Sequence, residues 1–238
     1  MINKYKGENK VNVLVLNGSP KMKSDTMCIT NAFLEGLSEQ KDCDIRIRHI
    51  INMDIKACRG CFGCWRGDDA KCVLKDDMNI ILEDLVWADL TIWSFPLYCY
   101  GMPSHLKAVL DRTLPFAKLT MVERDGRTYH EGKIDSSNKK YFMISGCGFP
   151  NANDNFEGMI TQFQIFYGKN AQALYVTESP LLNQKEAEIV TKPKLEQVKE
   201  AGRQYYKTGR VSEGLLGEIA KPMIPNKDYI NQINSVQL

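Results

Sequence analysis

At 238 residues, with 43% hydrophobic and 25% charged side chains, the chain has the balance of one globular domain with room for an extension, and a sizeable core is expected. A net charge of +2, from 31 basic and 29 acidic residues mixed along the chain, leaves no run of one sign for a nucleic-acid arm or a membrane-surface patch, so small molecules are the expected partners. The opening MINKYKGENK is charged, and no later segment approaches the roughly 18 apolar residues of a membrane span, which predicts a cytoplasmic protein.

The first element is VNVLVLNGS, a Val- and Leu-rich run ending on Gly and Ser, which reads as a buried parallel strand. A helix over 26–37 follows, with Met27, Phe33, Leu34 and Leu37 on one face. The alternation repeats: CDIRIRHI reads as a strand, DDMNIILEDLVWA as a helix with two acids in its first turn, and DLTIWSFPLY as a strand. Next come a helix over 102–112, the strand KYFMISGCG, a helix over 156–167, the strand AQALYVTESP and a closing helix over 194–206. Strands and helices in alternation predict a flavodoxin-like α/β fold: a doubly wound, five-stranded parallel sheet in a three-layer α/β/α arrangement. Two regions break the rhythm. Charges and the turn RDGRTY mark an insertion over about 116–138, and an apolar stretch over 208–238 reads as an arm on a domain spanning 1–207.

NGSPKMKSDT leaves the first strand and enters a helix, where backbone N–H groups and the helix dipole favour an anion. Ser19, Ser24 and Thr26 add hydroxyls, and Lys21 or Lys23 adds charge. The alternative reading is a polar turn with Asp25 or Ser24 as helix cap. Neither GxGxxG nor GxxxxGK[ST] is present, so a single terminal phosphate, as in FMN, fits better than a dinucleotide or triphosphate. A ligand in such a sheet lies beyond the carboxyl ends of the strands. There, Pro96, Leu97, Tyr98 and Tyr100 supply a flat apolar wall, Gly101 a point of close approach, and SGCGFPN two glycines with free amides.

Together, LNGSPKMKSDT, the cysteine loop with CVLKDDM, SFPLYCYGMPSHLKAVLDR and SGCGFPN resemble the flavodoxin-like NAD(P)H-dependent FMN and quinone reductases, a group that includes the iron–sulfur flavoproteins. The resemblance runs over roughly 11–180. It implies that Ser19, Lys21, Ser24, Asp25 and Thr26 surround the FMN phosphate. Pro96, Leu97, Tyr98, Tyr100 and Gly101 would cover the isoalloxazine, and Gly146, Cys147, Gly148 and Phe149 would line its other side. It also implies electron transfer from NAD(P)H through FMN to a quinone-like or other small acceptor, in a homodimer or homotetramer. No catalytic side chain is required, although Tyr98 and Tyr100 are in place to contact a substrate. Asp111 and Arg112 belong to the pattern and are read as holding helix and loop together. Flavodoxins proper share the fold but are small and strongly acidic, so a charge of +2 favours an enzyme over a carrier.

CRGCFGCWRGDDAKC leaves three readings open. Cys58, Cys61, Cys64 and Cys72 have the compact spacing of a [4Fe–4S] cluster, and the resemblance to iron–sulfur flavoproteins points the same way. Zinc fits poorly, because its sites usually present two separated pairs. In the third reading the loop is metal-free, with Phe62 and Trp65 packed among cysteines that act as small hydrophobes. The three histidines, His49, His105 and His130, are scattered; only His105 falls in the helix of a flavin loop.

Overall fold

The computed structural model describes residues 10–39, 42–168 and 171–235. The charged amino-terminal segment and the last three residues of the arm lie outside them. Strand β1 (Val11–Asn17) divides its side chains between two apolar layers: Val13 and Val15 enter one, Leu14 and Leu16 the other, and all four are fully buried. A strand buried on both faces needs helices on both sides of its sheet.

The chain supplies them in turn. Helix α1 (Asp25–Ser38) follows β1, and β2 (Cys43–His49) leads through the cysteine loop to α2 (Met78–Trp87). Then come β3 (Leu90–Pro96), α3 (Ser104–Asp111) and a two-stranded hairpin of β4 (Ala117–Arg124) and β5 (Arg127–Gly132). The remaining elements are β6 (Lys140–Gly146), α4 (Glu157–Tyr167), β7 (Gln172–Val176), α5 (Glu188–Thr208), α6 (Glu213–Ala220) and α7 (Asn226–Asn234). The main sheet has five parallel strands in the order β2-β1-β3-β6-β7, which is the doubly wound flavodoxin-like arrangement expected from the sequence. Connections from β1 and β3 leave on opposite sides, so a crevice opens at the carboxyl ends of these neighbouring strands.

The helix boundaries differ from the sequence reading for local reasons. Helix α3 starts at Ser104, not 102, because Pro103 occupies its N-cap and disfavours helical geometry at Met102. Asp76 and Asp77 precede α2, with Asp77 as N-cap residue. Helix α5 starts at Glu188, six residues earlier than expected, and runs through Pro193. That proline removes one N–H close to the helix start, where fewer intrahelical bonds are at stake. The RDGRTY signal does close a hairpin, with Asp125 and Gly126 both at positive φ.

One face of the sheet is covered by α1, α5 and α6, the other by α2, α3 and α4. On the first face the backbones of α1 and α5 touch. A β-carbon at Gly202 would lie 2.1 Å from the Phe33 carbonyl oxygen, and one at Gly36 would lie 1.8 Å from that of Lys199, so both positions exclude any larger residue. Edge strand β2 carries Arg46 and Arg48, which reach the buried Asp84 of α2 at 2.9 and 2.6 Å; charge at an edge discourages pairing with another strand. Beyond α5 the chain returns to the domain: Ile219 of α6 is buried in the core, and Lys194 Nζ donates to the carbonyls of Glu218, Ile219 and Lys221 at 2.9–3.0 Å. Among the described residues no helix is long and apolar enough to cross a membrane.

Candidate functional site

The loop after β1 is fixed by its own polar groups. Asn17 Oδ1 accepts from the Ser19 amide at 2.9 Å, and Ser19 Oγ accepts from the Lys21 amide at 3.2 Å, so the chain turns back toward α1. The Gly18 amide donates to the Ser94 carbonyl of β3 at 2.8 Å, and the Gly18 carbonyl contacts His105 Nε2 at 2.9 Å. A β-carbon at Gly18 would fall 2.5 Å from Leu106 Cδ2, so only glycine lets the loop lie this close to α3. Ser24 is the cap of α1: its Oγ accepts from the Met27 amide at 3.2 Å, which leaves its hydroxyl proton free to donate. Among the described residues the amides of Asp25 and Thr26 have no acceptor, and the helix dipole is positive there. Ser19, Ser24 and Thr26 are buried, whereas Lys21 and Lys23 are exposed. Asp25 turns its carboxylate to the side chain of Asn183.

Tyr98, Cys99, Tyr100 and Gly101 form a tight turn after β3, with Tyr98 and Gly101 exchanging backbone hydrogen bonds of 2.9 and 3.0 Å. Its two central residues, Cys99 and Tyr100, have φ of 48° and 62°. Such a turn normally takes Gly or Asn at those positions; holding Cys and Tyr there costs of order 1–3 kcal/mol each, a kind of strain that clusters at functional sites. Pro96 and Leu97 continue β3, and the Leu97 amide donates to Gly146 at 2.9 Å, tying this loop to the one after β6. In that second loop Cys147 is buried, and Gly148 and Phe149 are exposed. Burial pushes the Cys147 thiol up from its ordinary value, which disfavours the thiolate. The two loops meet at their tips: the Tyr100 and Phe149 rings are parallel within 6°, with centroids 6.4 Å apart.

The cysteine loop is braced from several sides. Cys58, Cys61, Cys64 and Cys72 line one small apolar cavity with Val73, Leu114 and Arg112. Arg112 is 1% exposed; its guanidinium forks onto Asp76, donates to the Lys56 carbonyl at 3.0 Å and reaches Cys72 Sγ at 3.1 Å. Burial disfavours its charge, but the hydrogen bonds to Asp76 and Cys72 more than offset this and raise its pKa. Trp65 packs at a tilt against Phe62 at 4.8 Å and His130 at 5.0 Å, and its Nε1 donates to the Leu114 carbonyl at 3.1 Å. Burial and the nearby Cys72 raise the Cys64 thiol. Among the described residues no three His, Cys, Asp or Glu side chains converge closely enough for a single metal ion.

The structure thus brings the residues singled out after β1, β3 and β6 to one edge of the sheet, with the four cysteines in a separate pocket beside α3. Sequence reasoning gave Arg112 a holding role; it missed the contact to Cys72 and the partner Asp76, which lies only four residues beyond that cysteine in CVLKDD. A cavity of about 840 Å³ lies beneath the hairpin, lined by Tyr141, Phe166 and Tyr167 among others, and shares Leu114 with the cysteine cavity.

A family model described as flavodoxin-like fold matches residues 11–175. An iron–sulfur flavoprotein of Archaeoglobus fulgidus is 31% identical over 101 residues, which is 42% of this chain and 48% of that protein. One of Methanosarcina thermophila is 31% identical over 99 residues, 42% of this chain and 50% of that protein. These matches span about half the length of the curated relatives. Among solved structures, an FMN-dependent NADH-azoreductase of Bacillus anthracis in complex with FMN superposes with a TM-score of 0.60 at 16% identity, covering 82% of this chain and 99% of that one. An NAD(P)H:quinone oxidoreductase of Methanothermobacter marburgensis gives 0.58 at 18% identity, covering 82% and 97%. At these identities the solved structures establish the fold.

Proposed function

The chain belongs to the flavodoxin-like fold family, and from that premise we propose that it is an FMN-dependent NAD(P)H oxidoreductase acting on a quinone-like or other small acceptor. The observation that carries this reading is the pair of parallel, half-exposed rings of Tyr100 and Phe149 at the tips of two loops, between which a slot for a planar ligand would open. Their centroids lie 6.4 Å apart with the planes parallel within 6°, so each presents a flat face on which a planar ring system can stack. Both side chains are about half exposed and free to adjust.

The donor set after β1 fits the other end of the same ligand. The Asp25 and Thr26 amides, the Ser24 hydroxyl and the α1 dipole suit a phosphate monoester, with Ser19 and Lys21 at its flank. Bound FMN would supply the electron chemistry, taking hydride from NAD(P)H and passing electrons to the acceptor. The chain's own part is to hold the phosphate, orient the ring and exclude water from one side of it. Tyr98, half exposed in the same loop as Tyr100, would donate a hydrogen bond to an acceptor oxygen in this reading. The purified protein is expected to bind about one FMN per chain, to be bleached by NADH or NADPH and to turn over a quinone; a flavin that neither nucleotide bleaches would leave a carrier or flavin-binding regulator instead.

A second reading concerns the cysteine loop. Four thiols share one cavity, with a guanidinium on one sulfur, and a cubane spreads its thiolates more widely than a single ion does. The donor set fits a [4Fe–4S] cluster on Cys58, Cys61, Cys64 and Cys72, and the names of the curated relatives support the same reading. Anaerobic purification would then give a brown protein with about four irons and four acid-labile sulfides per chain. A yellow, iron-free protein would leave the loop as packing, which the Trp65 and Arg112 braces already sustain. We also propose a homo-oligomer, since Leu119 and Met121 on β4 are 64% and 63% exposed; a monomeric mass in sedimentation would refute it.

A further inference from the structure

The C-terminal arm lies beyond the residues matched by the family, yet its anchor points converge on the loop after β6. Lys194 fixes the end of α6 through three carbonyls. Glu178, fully buried and at a φ of 55°, accepts from the amides of Met223 and Ile224 just before α7. Tyr229, on α7 and 2% exposed, donates its hydroxyl to the Gly148 carbonyl at 2.9 Å. Burial, with Glu178 beside it, pushes that hydroxyl up to about 12, so it remains a donor at any working pH.

The consequence lies in the peptide planes. The Cys147 carbonyl accepts from the Ser179 amide at 2.9 Å, that of Gly148 from Tyr229, and that of Phe149 from the Glu178 amide at 2.9 Å. In a planar trans peptide the N–H of the next residue points opposite to the carbonyl. The Cys147 and Gly148 carbonyls, held by Ser179 and by Tyr229 of α7, therefore turn the Gly148 and Phe149 amides respectively the other way. Neither amide has an acceptor among the described residues, and position 150 is proline, which has no N–H to offer. Two adjacent free amides at the root of the Tyr100–Phe149 slot form a small anion-favouring concavity.

We propose that Tyr229 is a positioning residue which, from the C-terminal arm, locks the Gly148–Phe149 peptide so that the Phe149 amide, beside the Gly148 amide that the Ser179–Cys147 bond already orients, faces the polar edge of the bound flavin and favours its reduced, more negative form. This rests on the FMN reading. The arm is then part of the redox site although it touches no reacting atom. Removing the hydroxyl while keeping the ring frees that peptide to turn, and the cost falls more heavily on the reduced ligand than on the oxidised one.

The test compares wild type with Tyr229→Phe, using FMN itself as probe. Quenching of flavin fluorescence is expected to show oxidised FMN bound about fivefold more weakly by the variant, the scale of one hydrogen bond. Dye equilibration is expected to show the reduced form weakened about a further tenfold, which for two electrons lowers the midpoint by about 30 mV. Unchanged affinity and midpoint overturn the proposal, and so does a fall in apoprotein melting temperature with neither moved, since that marks a purely structural contact. Should the variant fail to fold, hydrogen exchange in the wild type decides: slowed exchange at Gly148 and Phe149 on adding FMN supports the proposal, and no slowing refutes it. A wild type that binds no FMN removes the underlying reading and this proposal with it, a result reached without any variant.

Discussion

Truncating either wall of the slot should cost FMN affinity by an amount the structure sets. Tyr100 is 59% exposed and Phe149 49%, and aromatic side chains of this size present about 150–250 Å², so roughly 100 Å² of each stands open. A planar ring stacking on one of them covers a face of about 50 Å², with an equal area on the ligand. At about 25 cal/mol per Å² this amounts to ~2.5 kcal/mol per wall before losses to residual contact, so Tyr100→Ala or Phe149→Ala is expected to weaken FMN by between about tenfold and a hundredfold. Alanine is the informative choice at Tyr100, because it keeps the β-carbon and with it the backbone strain at φ 62°; glycine would relieve that strain and confuse affinity with stability. Fluorescence titration gives the affinity, and the apoprotein melting temperature, which half-exposed side chains should barely move, serves as the fold control. If both alanine variants bind FMN within about twofold of wild type, the parallel rings do not hold the ligand and the slot reading fails.

Other perturbations test the frame around the sites. Arg112→Ala leaves Asp76 buried and unpaired and is expected to cost about 3–5 kcal/mol in chemical denaturation, whereas Arg112→Lys, which keeps the charge without the fork, should cost less. Burial alone would raise the Asp76 carboxyl, but the Arg112 fork and the amides of Lys56 and Met78 together bring it below its ordinary value. Its stabilisation is therefore fully present above the unfolded value, about pH 4, and is lost as pH falls through the folded one; Asp76→Asn should flatten this acid limb in urea midpoints measured between pH 3 and 7. Gly202→Ala drives a β-carbon into the Phe33 carbonyl and should cost about 3 kcal/mol, while Gly214→Ala on α6, with nothing within 4 Å, should gain up to about 1 kcal/mol, both read from thermal melts.

Strand and helix alternation was legible because each core strand is a continuous apolar run and each helix carries a one-sided stripe, signals that local sequence contains in full. The ends of α3 and α5 were less legible, since proline reads as a stop although its cost depends on which turn it occupies. Of the site, the three loops were legible as loops. Their joint geometry was not, because the parallel setting of Tyr100 and Phe149 depends on two turns separated by 49 positions, and the Arg112 to Cys72 contact on 40. Tyr229 gave no signal at all: 81 residues from Gly148, it looks in sequence like any tyrosine of an amphipathic helix.

The sheet that carries these sites also keeps them apart. Side chains of alternate parity along β1 feed two separate cores, one tied to α1, the other to α2 and α3 with the cysteine loop, and the phosphate loop meets α3 at Gly18. Lesions in the two halves should therefore add independently, as distant sites do. For a lineage this is freedom of a particular kind: the cysteines can be gained, recruited to a new cofactor or lost through changes on one side of the sheet, provided the α3 contact to Gly18 is kept, while α1 goes on capping the phosphate loop.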